Sequence, residues 1–227
     1  MKLSVIIPVY NEEKTLPLIL EKVQKQKPAE IVIVDDCSTD GTGAFLASLT
    51  GKNIKVIRQS VNQGKGAALH AGIAAASGDI VLIQDADLEY DPADYSRLLQ
   101  PILDGAADVV YGSRFVGSSP HRIMLFGHYL ANKFITFLTN LFSNLNLTDI
   151  ETCYKAFRRE AIQSIKLEEK DFGFEPEVTI KLSRKKWRFY EVGISYYGRT
   201  FAEGKKIRWT DGVRALWVIV KHGFGAF

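Results

Sequence analysis

Asp85 and Asp87 stand one residue apart at the end of the apolar run Ile80-Val81-Leu82-Ile83. That run reads as a buried parallel strand. Two carboxylates leaving a hydrophobic strand are costly unless positive charge meets them. Oxygen ligands of this kind suit Mg or Mn, which commonly bind through one or two carboxylates plus substrate phosphates. A plainer use exists, because Asp91-Pro92 just beyond looks like a helix start and the acids could be solvated capping residues. Three other strand-end stretches weigh on the choice. Val9-Tyr10-Asn11-Glu12 follows a first apolar strand, Asp35-Asp36 a second, and Gln63-Gly64-Lys65-Gly66 a third. In an open α/β sheet, ligands bind beyond the carboxyl ends of the strands. A structural protein has little reason to line that rim with a Tyr, several acids and a Lys.

The elements that position these residues alternate. Strands are expected at Leu3–Pro8, Ile31–Val34, Ile54–Ile57, Asp79–Ile83 and Ala107–Tyr111, with helical patterns between them. This order predicts an α/β fold, a doubly wound and mostly parallel sheet with helices on both faces. Gly64-Lys65-Gly66 lacks both the dinucleotide fingerprint and the Ser/Thr of a P-loop. The 227 residues fit one domain over 1–227, with no repeat or linker. Cys37 and Cys153 have no metal spacing and read as reduced thiols.

The two halves differ in charge. Residues 1–113 carry 10 Lys/Arg against 15 Asp/Glu, and residues 114–227 carry 19 against 11. An acidic first half suits a metal site, and a basic second half suits an anionic partner. Arg122–Ser143 sets Ile123, Phe126, Leu130, Phe134, Phe137, Leu138 and Leu141 against His128, Asn132, Thr136, Asn140 and Ser143. Such an amphipathic helix fits either a membrane surface or packing on the sheet. No apolar stretch reaches the roughly 18 residues of a spanning helix, and no signal peptide is visible. A late strand is expected at Trp187–Tyr196 and a last amphipathic helix at Trp209–Val220. Lys181–Arg188 is too short, and lacks a stacking or groove-reading element, to indicate nucleic-acid binding.

Taken in order, Ser4-Val5-Ile6-Ile7-Pro8-Val9-Tyr10-Asn11-Glu12, Val34-Asp35-Asp36-Cys37-Ser38-Thr39-Asp40-Gly41-Thr42, Asn62-Gln63-Gly64-Lys65-Gly66 and Asp85-Ala86-Asp87 resemble the family 2 glycosyltransferases. Tyr111-Gly112-Ser113-Arg114-Phe115 and Tyr197-Gly198-Arg199-Thr200 are similar to the branch of dolichol-phosphate mannose synthases and polyprenyl-phosphate glycosyltransferases. The resemblance implies the nucleotide-diphospho-sugar transferase A-type fold. It places Pro8, Tyr10 and Glu12 at the nucleotide base and ribose, Asp36 on the base, and Lys65 near the same pocket. The stretch Asp85-Ala86-Asp87 would line the donor diphosphate, with Asp85 and Asp87 holding Mg or Mn and Glu89 a further candidate ligand. Arg114 and Arg199 would face the acceptor phosphate, with Ser113 and Lys155 on the same side. Asp87, Arg114 and Arg199 are then the catalytic set.

The implied reaction is transfer of a sugar from GDP-mannose or a UDP-sugar to a polyprenyl or dolichyl phosphate, with inversion. A phosphate acceptor is already largely dianionic near neutrality, its second pKa being about 6, and needs no general base. A hydroxyl acceptor on a soluble or cell-surface glycan is the alternative, with Asp149, Glu151 or Glu175 as the base. A non-catalytic nucleotide-sugar-binding module is a further one. The expected setting is cytoplasmic and peripheral on the membrane face through Arg122–Ser143, with a separate membrane-protein partner left open. Two departures stand out: His128-Tyr129 occupies a place where relatives often carry arginine, and Phe174-Glu175-Pro176-Glu177 does not match the mannose synthases closely.

Overall fold

The computed structural model describes residues 1–117, 121–171, 173–199 and 209–224, without the side chains of Trp209 and Thr210. Thr200, which closes one of the motifs above, lies outside the described residues. Seven strands form one sheet in the order β3-β2-β1-β4-β6-β5-β7. They are β1 (Leu3–Val9), β2 (Glu30–Asp35), β3 (Ile54–Arg58), β4 (Ile80–Ile83), β5 (Val109–Ser113), β6 (Lys155–Arg158) and β7 (Phe189–Gly193). All neighbours run parallel except β6, which is antiparallel to both β4 and β5. The expected doubly wound, mostly parallel sheet is therefore present.

Between them come α1 (Leu16–Lys25), α2 (Thr42–Ala47), α3 (Lys65–Ala75), a 3₁₀ turn (Pro92–Asp94), α4 (Tyr95–Leu103), α5 (Phe126–Ser143), α6 (Arg159–Gln163), α7 (Phe174–Ser183) and α8 (Trp209–Gly223). Strand β2 shows how the sheet is covered. Val32 and Val34 cluster with Ala68 of α3, whereas Ile31 and Ile33 belong to the main core with Leu16 and Ile19 of α1. Successive residues of a strand point to opposite faces, so both faces of β2 are buried.

Helix α5 carries its amphipathic pattern the unusual way round. Its polar side faces the protein: Asn132, Thr136, Thr139 and Ser143 are buried. The Asn132 amide donates to Asp149 at 3.1 Å, and the Thr136 hydroxyl accepts from the Ile150 N–H at 3.3 Å. Asn140 exchanges two hydrogen bonds with Leu147, at 2.7 and 3.1 Å. Its apolar side is bare, with Phe126 74%, Phe134 53%, Phe137 62% and Leu141 66% exposed. The helix starts at Phe126, not at Arg122; Arg122 instead pairs beside Tyr196 and donates its guanidinium to the Gly198 carbonyl at 2.7 Å.

Candidate active site

The carboxyl ends of β1, β2 and β4 open onto a cavity of about 1000 Å³. Its walls include Pro8, Tyr10 and Glu12 after β1, Asp36 after β2, and Asp85, Ala86, Asp87 and Glu89 after β4. Lys65, Arg114 and Arg199 line it as well. Parallel neighbours in register bring these loops to one rim, since Val9 pairs with Asp35 and Ile6 with Ile83.

Asp36 closes the loop ahead of α3. Its two carboxylate oxygens accept the backbone N–H groups of Gln63 and Gly64, each at 2.8 Å. Gly64 holds φ +96°, and a Cβ there would lie 2.5 Å from the Lys170 carbonyl oxygen. At Gly66 a Cβ would lie 2.3 Å from the Glu169 carbonyl oxygen. Only glycine permits this approach of backbone to backbone. Burial raises the Asp36 carboxyl above its ordinary range, against the two N–H donors that lower it.

The carboxylates beyond β4 are crowded. Lys65 reaches Asp85 at 2.8 Å. Arg199 stands among three acids, 3.4 Å from Glu12, 3.2 Å from Asp87 and 3.8 Å from Glu89. Its backbone N–H donates to Glu89 at 2.7 Å, and the Tyr196 hydroxyl donates to the other Glu89 oxygen at 3.0 Å. Burial, with Asp85 and Glu89 alongside, pushes the Asp87 carboxyl upward. Among the described residues here, four carboxylates thus meet two cations. The excess of negative charge, built wholly from oxygen donors, fits a hard divalent cation.

The acceptor side differs from expectation. Arg114 lines the cavity, but its Nε and Nη2 donate to Asp149 at 2.7 and 2.8 Å, and its backbone N–H adds a third bond at 3.1 Å. Ser113 and Lys155 are corrections. Ser113 is buried on β5, outside the cavity lining, with its hydroxyl 2.6 Å from that of Thr148. Lys155 on β6 turns into the core, where the carbonyls of Ile150 and Thr152 accept from its amine over the Tyr111 ring. Neither side chain borders the cavity, because a strand residue within the sheet faces a covered layer. His128 does line the cavity, whereas Lys133 donates to the Thr148 carbonyl at 2.9 Å.

The three candidate bases separate. Asp149 is buried under Arg114, which holds its carboxyl below the ordinary range against the effect of burial. Glu151 and Glu175 border the cavity. Sequence reasoning missed Cys153, Asp171, Asp211, Met124 and Ile135, all of which line it. The helical period could have flagged Ile135, which sits on the same side of α5 as Asn132; the others carry no sequence signal.

A two-faced α/β sheet whose strand-end acids border a deep cavity defines a nucleotide-sugar transferase of the A-type fold. Residues 4–166 match the profile of Glycosyl transferase family 2, and the chain belongs to that family. It is 31% identical over 218 residues to an undecaprenyl-phosphate mannosyltransferase of Micrococcus luteus, covering 90% of this chain and 87% of that one. It is 33% identical over 211 residues to a polyprenol monophosphomannose synthase of Mycolicibacterium smegmatis, covering 88% and 79% respectively. In fold it resembles a crystal structure of glucosyl-3-phosphoglycerate synthase from Mycobacterium tuberculosis with Mn²⁺, uridine diphosphate and phosphoglyceric acid. The TM-score is 0.77 at 21% identity, over 100% of this chain and 80% of that one.

Proposed function

We propose that this glycosyltransferase moves one sugar from a nucleotide-diphospho-sugar to a polyprenyl phosphate at a membrane surface. The observation that carries the reading is a cavity lined both by the strand-end acids and by the start of α5, through Met124, Gly127 and His128. The names of the two relatives support a polyprenyl phosphate acceptor and mannose as the transferred sugar.

Pro8, Tyr10 and Asp36 bound the end assigned to the nucleotide base, and Glu12 sits nearer Arg199. Asp85 and Asp87, with Glu89, would hold Mg or Mn, whose chemistry there is to neutralise the departing diphosphate. Lys65 pairs with Asp85, and Arg199 pairs with Asp87 and Glu89. Arg114, fixed by Asp149, keeps one nitrogen outside that pair's two side-chain bonds, and a guanidinium fork suits a phosphate oxygen. Orienting an already anionic acceptor is then the main demand on the protein.

The bare face of α5 supports interfacial binding. On α8, which packs beside α5, Val213, Trp217 and Val220 are exposed too. Among the described residues no helix is long and apolar enough to cross a membrane. Burying such a face in the headgroup layer, with basic residues around it, holds a protein on the surface.

The test supplies labelled GDP-mannose and UDP-hexoses with Mn²⁺ and vesicles carrying a polyprenyl phosphate. Label moving into the organic phase is the expected result. Label confined to water-soluble glycan would favour the hydroxyl-acceptor reading, and tight donor binding with no turnover a non-catalytic module.

A further inference from the structure

Glu151 follows the Asp149–Ile150 turn that α5 grips, and it borders the cavity. Its Oε1 is buried without a hydrogen-bond partner. A buried polar atom left unpaired is costly, so its retention asks for a use. The charged groups around it offer none. Glu175, from the first turn of α7, repels it; Lys155 of β6 and Arg114 attract it, and Asp149 repels it again. The Lys155 amine is held by the Ile150 and Thr152 carbonyls, and the Arg114 guanidinium by Asp149. Among the described residues neither cation forms an ion pair with Glu151.

The location selects the ligand. Two residues on, Cys153 lines the same cavity as Asp85, whose charge acts on its thiol, so the 151–153 segment borders the acids assigned to the diphosphate. The base end lies at Asp36 and Gly64, where α3 begins. A hexose hung from the diphosphate and directed away from the base therefore faces Glu151. Given the donor reading above, on which this rests, we infer that Glu151 is a specificity-determining residue whose protonated carboxyl donates a hydrogen bond to a hydroxyl of the transferred sugar. A neutral acid can give one hydrogen bond and accept another, which matches a hydroxyl and avoids charge beside the anionic diphosphate. Burial and the neighbouring Glu175 supply the protonated state, raising the Glu151 carboxyl to about 8.

The experiment compares wild type with Glu151→Met and Glu151→Gln in Mn²⁺. Calorimetry with GDP and UDP reads the nucleotide end, and kcat/KM over nucleotide hexoses epimeric at single hydroxyls reads the sugar end. Both variants should bind the preferred nucleoside diphosphate within about twofold of wild type. Glu151→Met should lose at least about tenfold of the discrimination between epimers. Glu151→Gln should keep part of that discrimination, and its kcat/KM should lack the decline that wild type shows above pH 8. Epimer ratios unchanged in Glu151→Met overturn the inference while leaving donor binding intact. Wild type that binds neither diphosphate overturns the donor reading and the inference with it. Should Glu151→Met fail to melt cooperatively, the pH profile of Glu151→Gln decides alone, and one superimposable on wild type overturns the inference.

Discussion

Arg114 and Asp149 are locked side chain to side chain beneath the cavity, at 2.7 and 2.8 Å, with both residues buried. Asn132 of α5 donates to the same carboxylate at 3.1 Å, so this pair also anchors the helix that bears the bare apolar face. Removing one partner of a buried pair typically costs about 3–5 kcal/mol, because the other charge is left uncompensated. Asp149→Ala should lose stability of that order in urea unfolding. Arg114 lowers the folded-state pKa of Asp149, so the pair's stabilisation is present above the unfolded carboxylate pKa and lost as pH falls through the folded one. The gap between wild type and the variant should therefore narrow in acid. An equal gap at pH 3 and pH 7 would count against the ion pair as its source.

Arg199 occupies the ground on which a metal ion would act, within 3.4 Å of both Glu12 and Asp87. A cation there offsets part of the attraction for another cation. Arg199→Ala should bind Mn²⁺ several-fold more tightly in the absence of nucleotide, by calorimetry, while transferring sugar more slowly. Weaker Mn²⁺ binding would show that Arg199 helps to hold the site together instead of competing for it.

The first half of the fold was legible because its signals are local. Apolar runs end in acids, and turn residues follow, so Asp35-Asp36 and Asp85-Ala86-Asp87 announce strand ends in any context. Strand β6 was not legible: Lys155-Ala156-Phe157-Arg158 has two polar ends and is a strand only because β4 and β5 pair with it from both sides. For the same reason Lys155 read as an acceptor-side cation, although the sheet buries it. The amphipathic pattern of α5 was legible, but its sense was not. Periodicity tells that a helix has two faces; the hydrogen bonds from Asn132, Thr136 and Asn140 to residues 147–150 decide which one turns inward.

The outward face of α5 gives a prediction about membranes that is separable from stability. Phe134 and Phe137 are more than half exposed, so replacing them removes little from the folded core. Burying a Phe side chain in an apolar phase is worth about 1.5–3 kcal/mol. Phe134→Glu with Phe137→Glu should keep the melting temperature within about 2 °C of wild type, as surface changes do. Flotation with anionic vesicles should fall by at least about a hundredfold in partition coefficient. Undiminished flotation would move the membrane contact off this face.

Glu151 gives the last prediction, through stability instead of turnover. Its carboxyl is raised from 4.5 to about 8 in the folded chain, by burial first and by Glu175 next. The unfolded chain therefore releases this proton near pH 4.5, whereas the folded chain keeps it until about pH 8. Folding is penalised progressively as pH rises through that window, and the penalty is constant above it. Glu151→Gln has no proton to lose. Its stability relative to wild type should accordingly rise between pH 5 and pH 8, by on the order of 1 kcal/mol or more, and then level off. Asp87 and the other groups that do not interact with Glu151 are common to both proteins and cancel, so the difference reports position 151 together with the Glu175 and Lys155 charges that act on it. Parallel melting curves across the window would place a charged Glu151 in the folded chain, and the hydrogen-bond donor assigned to it would be gone.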